Sequence, residues 1–409
     1  VTGYRLRPLS LAVNRRAMLE RLNPAAPDAL LALIKLYAAD PRGDKIDLGV
    51  GVYRTDEGET PVFAAIKEAE RRLVTSQASK SYLGPEGDMG FVEGLMPYVF
   101  GKDDPSMGGR VQGIQTPGGT GAVRIAVALA KAAGITRVHL GVPSWPNHAQ
   151  ILADLPLEMA PFDHACADGT ANADAVLQVI RDARAGDAVL LHGCCHNPTG
   201  IDYTPDQWHA IAAALAASAA LPIIDLAYQG LGFGMEEDAH GLRAVLAAVR
   251  EALVAYSCDK NFGLYRDRVG AFYAVAQDGS QLPAIMSNAA GLARANWSMP
   301  PDHGAAAVRL VLEDEALTAQ WLDELGTMRC RMRQVRARLA AAGRVGTLDL
   351  TALGSQNGLF SMLPLDKDRI ARLRSDHAIY MAGSGRINIA GLTQGNLDKF
   401  IGALADVAG

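Results

Sequence analysis

An α/β fold with a mainly parallel sheet between helices is what the middle of this 409-residue chain predicts. Short apolar runs recur there: VHLGV (138 to 142), AVLLHG (188 to 193), PIIDLA (222 to 227) and ALVAYS (252 to 257). Each is continuously apolar, as a strand buried on both faces must be, and such strands belong mainly to parallel sheets. Ala-rich stretches with helical spacing separate them, PDQWHAIAAALAAS (205 to 218) being the clearest. In such a sheet, chemistry collects beyond the carboxyl ends of the strands.

The elements follow in order from the N-terminus. Residues 1–17, VTGYRLRPLSLAVNRRA, carry Arg5, Arg7, Arg15 and Arg16 and no acid. Their apolar centre is too short for a secretory signal, and with Met18 available as a start they read as an upstream extension or vector-derived residue rather than an organelle presequence. ALLALIKLYAAD (29 to 40) has helical spacing, and IDLGVGVY (46 to 53) reads as a strand that turns on its glycines. QTPGGTGAVRIAVALAKAA puts Gly118, Gly119 and Thr120 at the start of a helix. The long helical stretch 317 to 343 leads into a second strand-and-helix region that closes with the helix NLDKFIGALADVA. The chain has no internal repeat and no obvious linker.

Composition narrows the function. A 49% hydrophobic chain of this length buries a large core in more than one domain. A net charge of −5 without long basic runs argues against nucleic acid as a partner. No apolar stretch reaches bilayer-spanning length. Five cysteines, with Cys194 and Cys195 adjacent, match neither a disulfide framework nor a metal-ligand spacing, which suits a reduced, cytoplasmic setting.

The chemistry centres on the run YSCDKNFGLYRDRVG, in which Lys260 follows Ser257 by three residues and precedes Arg268 by eight. That grouping fits a phosphate-ester cofactor bound through an aldehyde to a lysine, and equally, taken alone, a solvated loop lysine near a glycine. Only a neutral amine condenses with an aldehyde, and nearby cations or desolvation keep it neutral. A hydroxyl and a guanidinium fork suit a phosphate dianion. The glycine-rich helix start at Gly118 to Thr120 adds exposed N–H groups and the positive end of a dipole. It is neither a dinucleotide fingerprint nor a P-loop, since G-x-G-x-x-G fails after Gly121 and no G-K-[ST] follows.

Together with LGVGVY (48 to 53), the segments QTPGGTGAVR (115 to 124), PSWPNHA (143 to 149), HGCCHNPTG (192 to 200), DLAYQG (225 to 230) and SGRINIAG (384 to 391) occur in an order that resembles the class I aminotransferases, the aspartate and aromatic amino-acid branch. The resemblance covers nearly all the chain from about Met18. It implies a pyridoxal 5'-phosphate (PLP) transferase of fold type I, with a large PLP-binding domain (61–325) and a small domain that joins an N-terminal arm and first part (18–60) to the remainder (326–409). It implies that Lys260 carries PLP and moves the proton, that Asp225 pairs with the pyridine nitrogen, and that Tyr228 and Asn197 donate to the phenolic oxygen. Gly118, Gly119, Thr120, Ser257 and Arg268 would hold the phosphate, Trp145 would stack on the ring, and His148 would support Asp225. Arg386 would clamp the substrate carboxylate, with Asn197, Trp145 and the backbone at Gly51 assisting. Arg294 and Tyr82 would reach the neighbouring subunit's site, which implies a homodimer.

Taken singly, several of these residues have plainer readings: Asp225 as a helix N-cap, Tyr228 as a core aromatic, Trp145 as packing in a turn. Asp259 departs from the serine usual before the lysine, and it is expected to turn away from the phosphate or to pair with Arg268 or Arg266. The expected function is PLP-dependent transamination by a ping-pong route between an aromatic or dicarboxylic L-amino acid and 2-oxoglutarate, with aromatic substrates favoured because IIDLAYQGLG, HAIYMAGSGRINIAGL and Met299 resemble the bacterial aromatic branch. The alternatives are an aspartate aminotransferase with little aromatic activity, a lyase or decarboxylase on the same fold, and a non-catalytic regulator. The last lacks room for a DNA-binding region before Met18.

Overall fold

The computed structural model describes residues 19, 22–24, 29–102 and 108–409, so the extension expected at 1–17 lies outside the described residues. Its first strand is β1 (Ile46–Asp47). The apolar runs then build one seven-stranded sheet from β2 (Val111–Pro117), β3 (Arg137–Val142), β4 (Glu158–Asp163), β5 (Asp187–His192), β6 (Leu221–Leu226), β7 (Ala252–Ser257) and β8 (Val269–Val275). Their spatial order is β2-β8-β7-β6-β5-β3-β4. The five strands from β7 to β4 are parallel, and β8 runs antiparallel to both its neighbours.

Alternation along each strand separates two cores. Ala188 and Leu190 of β5, Ile223 of β6 and Leu253 of β7 face one cluster, with Ala122, Ala126 and Leu129 of the helix Gly118–Ala132. Val189, Leu191, Ile224 and Val254 face the other, with Ile211 and Leu215 of the helix Pro205–Ala216. Period-2 side-chain direction therefore clads a continuously apolar strand on both sides. The helix Pro205–Ala216 starts on a capping box in which Thr204 accepts from Gln207 N and the Gln207 side chain accepts from Thr204 N.

The remaining strands are short: β9 (Arg344–Val345), β10 (Leu348–Asp349), β11 (Phe360–Met362), β12 (Ile379–Tyr380) and β13 (Arg386–Asn388). β1 pairs in parallel with β12, and β11 pairs antiparallel with β13, so early and late parts of the chain pack together. The strand expected over 46 to 53 ends at Asp47. Its carboxylate accepts the Gly49 N–H at 2.9 Å, a local bond that bends the backbone where the strand ladder would otherwise continue. The helix Glu315–Ala341 joins these parts to the loops after β6 and β7, where Arg329 donates to the Gly230 carbonyl and Trp321 Nε1 to the Asn261 carbonyl. Its Arg336 is fully buried and donates to the carbonyls of Leu353, Asn357, Gly358 and Phe360, which fixes the turn leading into β11. No helix among the described residues is long and apolar enough to cross a membrane.

Candidate active site

Strand ends place the functional side chains. His192 closes β5, Asp225 stands one residue from the end of β6, and Ser257 closes β7; in register, His192 lies opposite Asp225. Lys260 follows three residues after Ser257. A pocket with about 370 Å³ of open space, its mouth included, forms over these ends. Of the residues named from the sequence, Gly119, Thr120, Trp145, Asn197, Asp225, Tyr228, Ser257 and Lys260 all line it.

Within the pocket the polar groups are ordered by one another. Asp225 Oδ2 lies 2.9 Å from His148 Nε2, and His148 Nδ1 lies 3.0 Å from Ser144 Oγ. With Nε2 protonated, the imidazole donates to the carboxylate and accepts the serine hydroxyl, which holds the acid in place and leaves Asp225 Oδ1 buried without a partner. Asn197 Nδ2 donates to the Tyr228 hydroxyl at 3.3 Å, and Asn197 Oδ1 is likewise buried and unpartnered. Burial pushes the Tyr228 phenol well above its ordinary range, so it stays a protonated donor. Lys260 Nζ sits 5.5 Å from the centre of the Tyr228 ring. Desolvation lowers the Lys260 pKa and Arg268 lowers it further, while Asp259 and Asp225 oppose the shift.

One end of the pocket gathers donors of the kind an anion takes. No side chain caps the helix at Gly118, so its first N–H groups are open to a ligand. Gly118 has φ of +69°, and a Cβ there would lie 2.5 Å from Arg268 Nη2; a Cβ on Gly119 would lie 2.8 Å from that of Ser257. Only glycines let this backbone approach so closely. Arg268 itself holds a φ of +57°, a strained conformation for a residue with a side chain, and it aims the guanidinium here. Asp259 pairs with Arg268 at 2.5 Å and lines the pocket.

Arg386 stands on β13. Its Nη2 donates to the Gly49 carbonyl at 2.9 Å, its guanidinium carbon lies 4.4 Å over the Phe360 ring, and its Nε is buried without a partner. Burial lowers its pKa and the nearby Tyr228 opposes the shift. Gly51 packs its Cα against Phe360, where a Cβ would meet the ring at 2.6 Å; the backbone contact to Arg386 comes from Gly49, two residues earlier. Arg294 and Tyr82 are not brought to this pocket. Arg294 is exposed on the helix Leu282–Asn296 and donates to Ser298 Oγ, and Tyr82 is 92% exposed. His192, to which the sequence assigns no role, also lines the pocket, with its ring 5.0 Å from that of His148. Its place at the end of β5 was the available signal. Burial first, and then the neighbouring imidazoles, push its pKa well down, so it is neutral.

The donor set suits PLP. A buried carboxylate with a free oxygen can take a pyridinium N–H, a hydroxyl and amide pair can meet a phenolate, and the glycine-rich helix start with Ser257 and Arg268 can take a phosphate. The sequence profile for aminotransferase class I and II matches residues 43–404. The chain belongs to that family. This aminotransferase is 49% identical over 376 residues to the tyrosine aminotransferase of Rhizobium meliloti (strain 1021), covering 92% of this chain and 96% of the relative. It is 41% identical to the aspartate aminotransferase of Escherichia coli (strain K12), covering 95% and 100%. The crystal structure of an aromatic-amino-acid aminotransferase from Burkholderia pseudomallei, covalently bound to pyridoxal phosphate, superposes with a TM-score of 0.92 at 34% identity, covering 96% of this aminotransferase and all of that chain. Aminotransferases act on amino-acid and 2-oxo-acid substrates.

Proposed function

We propose that this aminotransferase uses PLP, held at Lys260, to transfer amino groups by a ping-pong route between an L-amino acid and 2-oxoglutarate, with aromatic amino acids favoured. The observation that carries this reading is the convergence on one pocket of a desolvated lysine, a carboxylate with one oxygen free, and an anion-binding helix start. PLP, when bound, supplies an aldehyde for the amine and a ring that takes up the electrons released as the substrate Cα–H bond breaks. Asp225, oriented by His148, keeps the ring nitrogen protonated. Tyr228 and Asn197 donate to the phenolic oxygen. Gly118, Gly119, Thr120, Ser257 and Arg268 bind the phosphate. Trp145 covers one side of the ring. Lys260, which would hold the cofactor before substrate arrives, would then take up and carry the proton released from the substrate Cα.

Arg386 binds the substrate carboxylate. Its contact with Gly49 and its seat on Phe360 fix the guanidinium so that a bidentate pair can orient the Cα–H bond. We assign Arg294 and Tyr82 to the neighbouring subunit's site in a homodimer. Their segments touch: the Leu83 N–H, next to Tyr82, lies 3.2 Å from Met299 Sδ in the segment that follows the Arg294 helix. The five unpaired cysteines suit a cytoplasmic enzyme.

The tyrosine aminotransferase relative and the likeness to an aromatic-amino-acid enzyme support aromatic preference. Arg294 and the aspartate aminotransferase relative support a second reading, in which dicarboxylates are preferred. Oxo-acid formation from tyrosine, phenylalanine and aspartate with 2-oxoglutarate as acceptor decides between them. Aromatic preference predicts higher kcat/KM for tyrosine and phenylalanine; activity confined to aspartate overturns it, and no activity on any of the three overturns transamination of either class.

A further inference from the structure

Asp259 is 1% exposed, yet its carboxyl group lines the pocket at the end that gathers the donors. Its Oδ2 takes the Arg268 Nη1 donor at 2.5 Å and lies 3.9 Å from Lys260 Nζ, and its Oδ1 accepts the Val269 N–H at 3.1 Å. The Asp259 N–H in turn donates to Ser257 Oγ at 3.2 Å. Arg268 Nη1 is also engaged by the Tyr265 carbonyl. A Cβ on Gly118 would lie 2.8 Å from Asp259 Oδ2, so the carboxylate sits directly against the helix start that would receive a phosphate.

An arginine holds a phosphate best with two parallel donors, and here Nη1 is taken by the carboxylate and the Tyr265 carbonyl, which leaves a single bidentate edge, Nε with Nη2, beside a carboxylate that already shares the guanidinium's charge. A second anion a few ångströms from the carboxylate meets like charge in a poorly solvated site. We propose that Asp259 weakens the phosphate subsite of this enzyme, so that the phosphorylated cofactor is held loosely and exchanges with the free pool. The inference rests on the reading of this pocket as the PLP site.

The test is equilibrium dialysis of the purified holoenzyme against graded PLP and, separately, against pyridoxal, which shares the ring and aldehyde but lacks the phosphate. Bound cofactor is read by its absorbance. Asp259→Asn keeps an oxygen for the Val269 N–H and removes the charge; Asp259→Ser removes both. Each variant is expected to bind PLP at least about tenfold more tightly, with pyridoxal affinity changed by less than about twofold. Unchanged or weaker PLP binding overturns the proposal, as does an equal change for PLP and pyridoxal, which would give Asp259 a general ordering role. The unmutated protein provides a check that needs no variant. A pyridoxal-to-PLP ratio of dissociation constants below about a thousandfold supports a weakened phosphate subsite, and a larger ratio overturns it. If the unmutated protein binds neither compound, the reading of the pocket itself fails, which is distinguishable from every outcome above.

Discussion

Arg294 differs from every other proposed substrate residue in being exposed, with Ser298 Oγ as its partner at 2.8 Å. If it meets a substrate's distal carboxylate across an interface, it discriminates by charge. Arg294→Ala should lower kcat/KM for aspartate by about a hundredfold, the loss of a charge-assisted pair of about 3 kcal/mol, and change tyrosine and phenylalanine far less. Equal losses for all three substrates in steady-state assays would leave Arg294 without a role in specificity. A second residue-scale expectation concerns His164, whose ring stacks on His196 at 3.5 Å and whose Nε2 bonds the Ile201 carbonyl at 2.8 Å. Burial lowers its pKa to about 4, against an ordinary value of 6.5. The unfolded chain protonates this imidazole below about pH 6.5 while the folded chain does not, so the unfolded state binds more protons and stability falls as pH drops from about 6.5 to about 4. The full span of this one group is about 3 kcal/mol. Urea unfolding at stepped pH should show that loss, and His164→Gln should flatten the profile; an identical slope in the variant would exclude His164 as its source.

Among the elements, the helix Gly118–Ala132 makes the sharpest demand on its sequence, because its first residue has positive φ and touches Arg268. Gly118→Ala should cost about 1–2 kcal/mol in backbone strain and displace the guanidinium. The expected outcome is a normal far-UV circular dichroism spectrum with reduced PLP bound per chain; full cofactor retention would remove this glycine from the anion site. This helix start was legible because glycines before an Ala-rich run identify it, and Asp225 and Ser257 were legible because they close apolar runs. Other features were not. β8 (VGAFYAV) is buried at every residue, as β7 of the parallel part of the sheet is, yet it runs antiparallel between β2 and β7. An apolar pattern reports burial and carries no sign of strand direction. His192 was missed for a related reason: a histidine's role depends on which rings surround it, and His148 comes 44 residues earlier in the chain. The strand expected through residue 53 failed because the Asp47 side chain competes for the backbone donor at Gly49.

At the scale of the whole molecule, one chain supplies Lys260 and Asp225 to a pocket and sets Arg386 near that pocket's Tyr228, but leaves Tyr82 and Arg294 outside it. A homodimer in which each subunit completes the other's site makes a mixing prediction. Lys260→Ala chains carry intact Arg294, and Arg294→Ala chains carry intact Lys260, so a mixed dimer contains one complete site. Co-refolding equal amounts should restore aspartate turnover to roughly a quarter of the unmutated level, because half the dimers are mixed and each has one working site of two. Activity no greater than the sum of the separate variants would contradict completion of the site across an interface. The central claim, that this aminotransferase does its chemistry through Lys260, has a more direct test. The purified protein is loaded with PLP, reduced with borohydride, digested, and its peptides are weighed by mass spectrometry. A cofactor adduct is expected on Lys260, in the peptide that contains Cys258 and Asp259; an adduct on any other lysine, or on none, would contradict chemistry through Lys260.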